Sequence, residues 1–333
     1  WIGVYGIGAV AAALAALPAL QHGRERWWLL TFVAGLVVAA PLAHRDFTAT
    51  AGRLPVTLIQ TNVAQDEKFA PERLPEALAW LEQALRAAPG PLVIAPETAI
   101  PLLPDQLGDE AWRRIGAPFR EGERGALIGL PLGSYEAGYT NSVAGLSAQA
   151  TRSIKAGFYR YDKHHLVPFG EFIPWGFRWF TDMMNIPLGD FSRGPAAPPS
   201  FAFGGQHIAP TICYEDLFGE EIALRFAGAT PTPTILANLS NIAWFGDTVA
   251  IDQHLNISRM RSLELQRPMI RATNTGATAA IDHRGQVVAQ MSHFVRGSLM
   301  AEVEGRSGLT PFASWAATLG LWPPALVAVA LIA

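Results

Sequence analysis

Charge is spread so unevenly along this chain that its distribution restricts the fold more than any motif does. Residues 1–23 contain no Asp, Glu, Lys or Arg, 27–43 are again uncharged, and so are 307–333. Stretches of this kind belong either in the interior of a large domain or in the hydrocarbon of a bilayer. As one helix, residues 312–333 would reach roughly 33 Å at about 1.5 Å per residue, enough to cross a membrane. Trp27, Trp28 and Trp315 stand near the ends of these stretches, where an interfacial aromatic belt would place them. The expected organisation is two transmembrane helices within residues 1–45, a folded domain at 53–305 and a final transmembrane helix at 312–333. Arg24-Glu25-Arg26 puts two positive charges between the first spans, so that link is expected in the cytoplasm and the domain on the opposite side. The chain opens on Trp and stops inside an apolar run. It is therefore expected to be part of a longer membrane protein, with no recognisable cleavable signal peptide.

Between these ends the composition becomes that of a globular α/β domain. Runs at 56–61, 92–95, 126–130, 142–146, 234–237 and 269–272 are rich in β-formers and bounded by Gly, Pro or Asn, which predicts strands. Over 71–88, Leu74, Leu78, Leu81 and Leu85 recur at helical spacing while Glu72, Arg73, Glu82 and Arg86 lie off the stripe. Such alternation argues for stacked sheets covered by helices. No repeat with a period of roughly 20 to 50 residues is found. The aromatic stretch 171–193 fits neither period and is expected to be a loop, a lid or a membrane-dipping arm. A net charge of −3 gives no footprint for nucleic acid.

Cys213 is the only cysteine, which excludes an internal disulfide and a cysteine-rich metal site. It follows predicted strands at 201–203 and 207–212 and precedes a predicted helix at 217–227. A strand-to-helix turn of this kind exposes a side chain beside free backbone N–H groups, a setting for a nucleophile and an oxyanion. The opposing reading is buried filler, since free cysteine is among the most buried residue types. A thiol nucleophile needs a base. Glu97 after the strand at 92–95, Glu171 after Pro168-Phe169-Gly170, and Glu215 two residues beyond Cys213 are the carboxylates in suggestive settings. Each alone would more often be a surface carboxylate, and Lys163 an exposed lysine. His164 and His165 sit beside it on a predicted loop and are weak candidates.

Taken in order, Pro96-Glu97-Thr98, Lys163 within YDKHHLVPFGEFIP and Cys213 within CYED resemble the Glu-Lys-Cys triad of the nitrilase superfamily. Gln60-Thr61-Asn62, Asn141-Ser142, the segment 240–247 (SNIAWFGD) and the segment 267–276 make the fuller set similar to the apolipoprotein N-acyltransferase family, the integral-membrane branch. Ala95 and Ile242 depart from that family's usual Trp and Asp, so packing around Glu97 and Trp244 is expected to differ. The resemblance implies an αββα sandwich flanked by transmembrane helices, on the periplasmic side of the bacterial inner membrane. It implies a phospholipid acyl donor, a diacylglyceryl-cysteine apolipoprotein as acceptor, no metal or other cofactor, and a monomer. It also implies roles: Glu97 as general base, Cys213 as nucleophile and Lys163 as the cation at the oxyanion. Glu171, Glu215, Tyr214, Asn141 and Trp244 would support them, and Trp175, Phe177 and Trp179 would form the acyl-binding lid. A membrane-tethered amidase hydrolysing small carbon–nitrogen bonds with the same triad is the competing enzymatic reading, and a non-catalytic membrane scaffold is the competing class.

Overall fold

Successive side chains of a strand point to opposite faces, and in the short apolar runs of this chain both faces are buried. The computed structural model describes residues 1–16, 23–39, 45–153, 157–175, 191–228 and 231–332. Its strands are β1 (Thr48–Gln60), β2 (Leu92–Ile94), β3 (Gly125–Ser134), β4 (Gly138–Ser147), β5 (Tyr159–Asp162), β6 (Phe201–Phe203), β7 (Gln206–Ile212), β8 (Ile235–Ser240), β9 (Met269–Thr273), β10 (Ala279–Ile281), β11 (Val287–Gln290) and β12 (Gly297–Gly308). They form two six-stranded mixed sheets, ordered β12-β1-β2-β3-β4-β5 and β11-β10-β9-β8-β7-β6.

Leu58, Leu92, Ile94 and Leu127 of the first sheet meet Ile212, Ile235, Leu239 and Ile270 of the second in a core between the sheets. The alternate residues Val93, Ala126 and Ile128 face outward, against Leu81 and Leu85 of the helix Leu74–Ala87 and Ile115 and Phe119 of the helix Asp109–Arg120. On the far side Leu236 and Met269 pack against Leu255 of the helix Ala250–Leu265 and Phe312 of the helix Pro311–Leu319. The layers are therefore helix, sheet, sheet, helix. Both sheets also share one pairing pattern. Counted from β12 or from β6, it runs antiparallel, parallel, parallel, antiparallel, antiparallel.

Two expectations need correction. The helix predicted at 217–227 is broken into a 3-10 turn at Cys213–Leu217, a short helix at Gly219–Ala223 and a second 3-10 turn at Leu224–Phe226. Phe218, at φ −98° and ψ 78°, interrupts the helical path, and the first turn is held instead by Glu215. That carboxylate accepts from the Tyr161 hydroxyl at 2.6 Å and from the main-chain N–H of Ile212, His164 and His165 at 2.7, 2.7 and 3.0 Å. The single helix expected at 312–333 is a pair, Pro311–Leu319 and Trp322–Ile332, bent by 84°. Gly320 ends the first in the left-handed region at φ +56°, and Pro323-Pro324 begin the second, where a missing N–H costs nothing.

Among the described residues no single helix is long and apolar enough to cross a membrane. The first two helices, Gly3–Ala16 and Arg24–Ala39, hold 14 and 16 residues. The first of them is docked on the domain. Glu264 accepts from the Val4 N–H, Glu220 accepts from the Tyr5 hydroxyl at 2.9 Å, and Trp315 Nε1 donates to the Trp1 carbonyl at 2.9 Å.

Leu58 has none of its surface exposed. Leu58→Ala is expected to lower stability by about 2–5 kcal/mol, read as a fall in the denaturant midpoint without a change in slope. Glu215→Ala strands the N–H groups of Ile212, His164 and His165 and is expected to be at least as damaging, by about 3–5 kcal/mol. A Glu215→Ala protein unfolding at the wild-type midpoint would mean that the carboxylate does not hold the turn.

Candidate active site

Ligand sites in parallel sheets lie beyond the carboxyl ends of the strands, and here both sheets deliver polar residues from those ends. Glu97 follows β2, Lys163 follows β5, Cys213 follows β7, Asn241 follows β8 and Asn274 follows β9. β3 passes so close beneath the Glu97 loop that a Cβ on Gly129 would lie 2.3 Å from the Pro96 carbonyl oxygen and 2.7 Å from Glu97 Cα. Glycine at 129 is what lets the loop sit there.

Lys163, which out of its motif would read as an exposed lysine and which the resemblance assigns to the oxyanion, is 1% exposed. Its Nζ lies 3.0 and 2.9 Å from the two carboxylate oxygens of Glu171 and 3.6 Å from Glu97 Oε1. Asn141 Nδ2 bridges the same carboxylates, donating to Glu97 Oε1 at 2.7 Å and to Glu171 Oε1 at 2.8 Å. Glu97 Oε2 accepts the main-chain N–H of Asn241 at 2.7 Å, and Glu171 Oε2 that of Val167 at 2.8 Å. Burial by itself would lower the Lys163 ammonium, but the carboxylates of Glu97 and Glu171 outweigh it and hold the group above its ordinary range. It is charged at any physiological pH.

Cys213 opens its 3-10 turn at φ +53°, a left-handed conformation that costs a residue with a Cβ about 1–2 kcal/mol. Its side chain is half-buried and its carbonyl is held from two sides. Asn238 Nδ2 donates to that oxygen at 2.8 Å, and His254 Nε2 lies 3.3 Å from it. Arg271 Nη2 is 2.9 Å from His254 Nδ1. Arginine can only donate, so Nδ1 is the acceptor and the imidazole proton sits on Nε2, which faces both the Cys213 carbonyl and Asp216 Oδ1 at 3.1 Å. Burial, and then the Glu97 charge, push the Cys213 thiol up, while Lys163 and Ser240 pull it down; the balance leaves it at about 12. At neutral pH the thiol is therefore protonated, so a nucleophilic role for it would require a base to remove the proton as the sulfur reacts.

The supporting residues separate in space. Asn141 and Glu171 touch the Lys163 and Glu97 side chains, whereas Glu215 bonds to neither and instead ties the Cys213 turn to the end of β5. Tyr214 packs edge-on against His165 and Phe218. His165 itself stacks on Phe218, with ring centroids 3.7 Å apart, and bonds to Glu221. Trp244 is 71% exposed, on the rim of an open groove of about 900 Å³ shared with Asn62, Phe69 and Phe294. Trp175 is 98% exposed, while Phe177 and Trp179 lie outside the described residues. Ala95 and Ile242 are buried in the helix-facing cores. Sequence reading missed Asn241 and Asn238, which act through main-chain groups, and it missed His254. It also missed Lys68, which is buried and donates to the Glu97 carbonyl at 3.2 Å.

The chain is 51% identical to the apolipoprotein N-acyltransferase of Verminephrobacter eiseniae over 96% of its own length, 47% identical to that of Ralstonia nicotianae over 93%, and 43% identical to that of Bordetella bronchiseptica over 94%. It spans 63%, 59% and 62% of those relatives, about three fifths of their length. Two solved structures share its fold at low identity. A carbon-nitrogen hydrolase from Helicobacter pylori aligns with a TM-score of 0.54 at 15% identity, covering 76% of this chain and 90% of that one. An amidase from Nesterenkonia sp. aligns with a TM-score of 0.54 at 16% identity, covering 78% and 93%. The carbon-nitrogen hydrolase family itself matches residues 56–311, and the chain belongs to that family.

Proposed function

We propose that this chain carries the catalytic domain of a phospholipid:apolipoprotein N-acyltransferase. In this reading a fatty acyl group moves from a phospholipid to the α-amino group of the diacylglyceryl-cysteine that begins a bacterial lipoprotein. The observation that carries the reading is a lone, half-buried thiol at a left-handed elbow, acted on by the charges of Glu97 and Lys163, in a chain 51% identical to a protein of that name.

In the proposed chemistry Glu97 takes the proton of Cys213 while the sulfur attacks the ester carbonyl carbon of the phospholipid. Negative charge develops on the carbonyl oxygen, where the Lys163 ammonium stabilises it. The C–O bond breaks, the lysophospholipid oxygen takes the proton back from Glu97, and an acyl-Cys213 thioester remains. The acceptor amine then attacks that carbonyl, its proton passes to Glu97, and the C–S bond breaks as the sulfur is reprotonated. Asn141 and Glu171 hold Lys163 against Glu97 throughout, and Glu215 keeps the elbow in register with β5. Tyr214, next to Cys213 in the chain, and the exposed Trp244 are assigned to the approaches to the site in this reading.

The uncharged ends fit a membrane setting on the periplasmic face of the inner membrane. Trp27, Trp28, Val37 and Val38 on one segment and Trp322, Leu326 and Val329 on another are exposed apolar side chains, a surface that water disfavours and lipid would cover. The aromatic stretch 171–193 with Trp175, Phe177 and Trp179 is assigned to the acyl chain in the same reading.

A transferase must keep its thioester from water until the amine arrives, whereas an amidase hydrolyses it. With phospholipid alone, intact mass is expected to show one long-chain acyl group on Cys213, discharged as an N-acyl product when a diacylglyceryl-cysteine peptide is added. An adduct that decays to free fatty acid at the same rate with and without peptide would shift the chain to the hydrolytic reading. Cys213→Ala is expected to abolish turnover and Cys213→Ser to reduce it by about 10³-fold or more, since Glu97 must then deprotonate a far weaker acid. Both variants should still extract folded in detergent.

A further inference from the structure

Lysine ammonium groups are rarely buried without an anionic partner, because desolvating the charge is expensive. Lys68 lies on the segment between β1 and the helix Leu74–Ala87 and is 6% exposed. Among the described residues its ammonium makes one hydrogen bond, to the Glu97 carbonyl at 3.2 Å, and no ion pair within 4.0 Å. Trp80, Thr98 and Asn274 line the same small cavity, with the cation Arg296. No surface requirement explains a charge here.

The charges around the thiol supply a reason. Lys163 faces two carboxylates, Glu97 and Glu171, so those three groups sum to −1, and that excess opposes formation of a thiolate. Adding Lys68 sets a second ammonium against those two carboxylates and removes that local excess. We propose that Lys68 is a positioning residue of the thiol site: its hydrogen bond fixes the main chain of Glu97, and its positive charge eases ionisation of Cys213 as the sulfur reacts. Its surroundings agree. Burial draws the Lys68 ammonium down to about 8, against the opposing pull of Glu97 and Cys213, so it is mostly charged at neutral pH and loses that charge just above it.

The inference rests on the thiol chemistry proposed above, but its test does not need acyl transfer. Cys213 is the only cysteine, so alkylation by iodoacetamide, followed by intact mass, reads this thiol alone. Lys68→Met removes both the charge and the hydrogen bond; Lys68→Gln keeps a donor and removes only the charge. Both variants, purified in detergent, are expected to alkylate about tenfold more slowly at pH 7.5, the change for a thiol raised by about one pH unit. Acyl transfer should fall in parallel through kcat, with KM for phospholipid within about twofold. Slow alkylation in Lys68→Met with a wild-type rate in Lys68→Gln would reduce Lys68 to a brace for the loop and overturn the electrostatic role. Wild-type rates in both would overturn the whole proposal. If Lys68→Met does not fold, Lys68→Gln decides alone. Acyl transfer surviving complete alkylation of Cys213 would instead overturn the proposed function, and the alkylation rates would still judge Lys68.

Discussion

An ammonium group with 1% of its side chain exposed must find anions or destabilise the fold by several kcal/mol, and the requirement of Lys163 shapes much of this domain. Its partners come from different places: Glu97 from the end of β2, Glu171 from the loop that follows Lys163 itself, and Asn141 from β4, bridging both carboxylates. A one-residue slip of β4 would turn Asn141 to the other face of its sheet, and one of β2 would displace the loop that carries Glu97. The buried charge therefore fixes strand register at the mouth of the sandwich. Gly129 shows how tight that fit is, because only a residue without Cβ lets β3 run under the Glu97 loop.

The two sheets repeat one pairing pattern, yet the sequence has no matching repeat. A sandwich asks each half only for alternating apolar side chains on short strands, and many unrelated sequences satisfy that demand. Equivalent strand ends then carry unlike residues. The end of β2 leads to Glu97, and its counterpart β8 leads to Asn241, whose N–H binds the Glu97 carboxylate. β1 ends at Gln60, whose amide donates to the carbonyls of Ser292 and Val295, while its counterpart β7 ends at the Cys213 elbow. One geometry thus serves a structural tie in one half and the lone thiol in the other.

What could be read from sequence followed from these demands. The apolar runs announced β2, β3, β4, β8 and β9 because their burial on both faces leaves no polar alternation. β11 and β12 stayed hidden for the opposite reason. The residues of β11 and the first half of β12 alternate between half-buried and exposed, and β12 carries Glu302, Glu304 and Arg306, charges suited to a strand at the edge of its sheet. Glu97, Lys163 and Cys213 were legible as motifs, although the burial of Lys163 was not. Lys68, Asn238 and Asn241 were illegible because each acts on, or through, a main-chain group: Lys68 and Asn238 reach carbonyls 29 and 25 residues away, and Asn241 presents its N–H to Glu97 across 144. No local spacing encodes contacts of that kind.

The elbow itself is over-determined, and that bears on its chemistry. Left-handed backbone at Cys213 persists only if its surroundings outweigh the strain. Asn238 and His254 both engage the Cys213 carbonyl, and Arg271 fixes the His254 tautomer. Behind them the Asp216 carboxylate accepts from Ser258 and pairs with Arg271 at 3.3 Å. Glu215, meanwhile, binds the N–H groups flanking Lys163 and the elbow. The thiol is thus anchored through its carbonyl to one sheet and through its turn to the other. A sulfur held at about 12 gains little from waiting as a thiolate. In the proposed chemistry it gains from an attack geometry that needs no rearrangement when the base removes its proton, and anchoring of both kinds preserves that geometry.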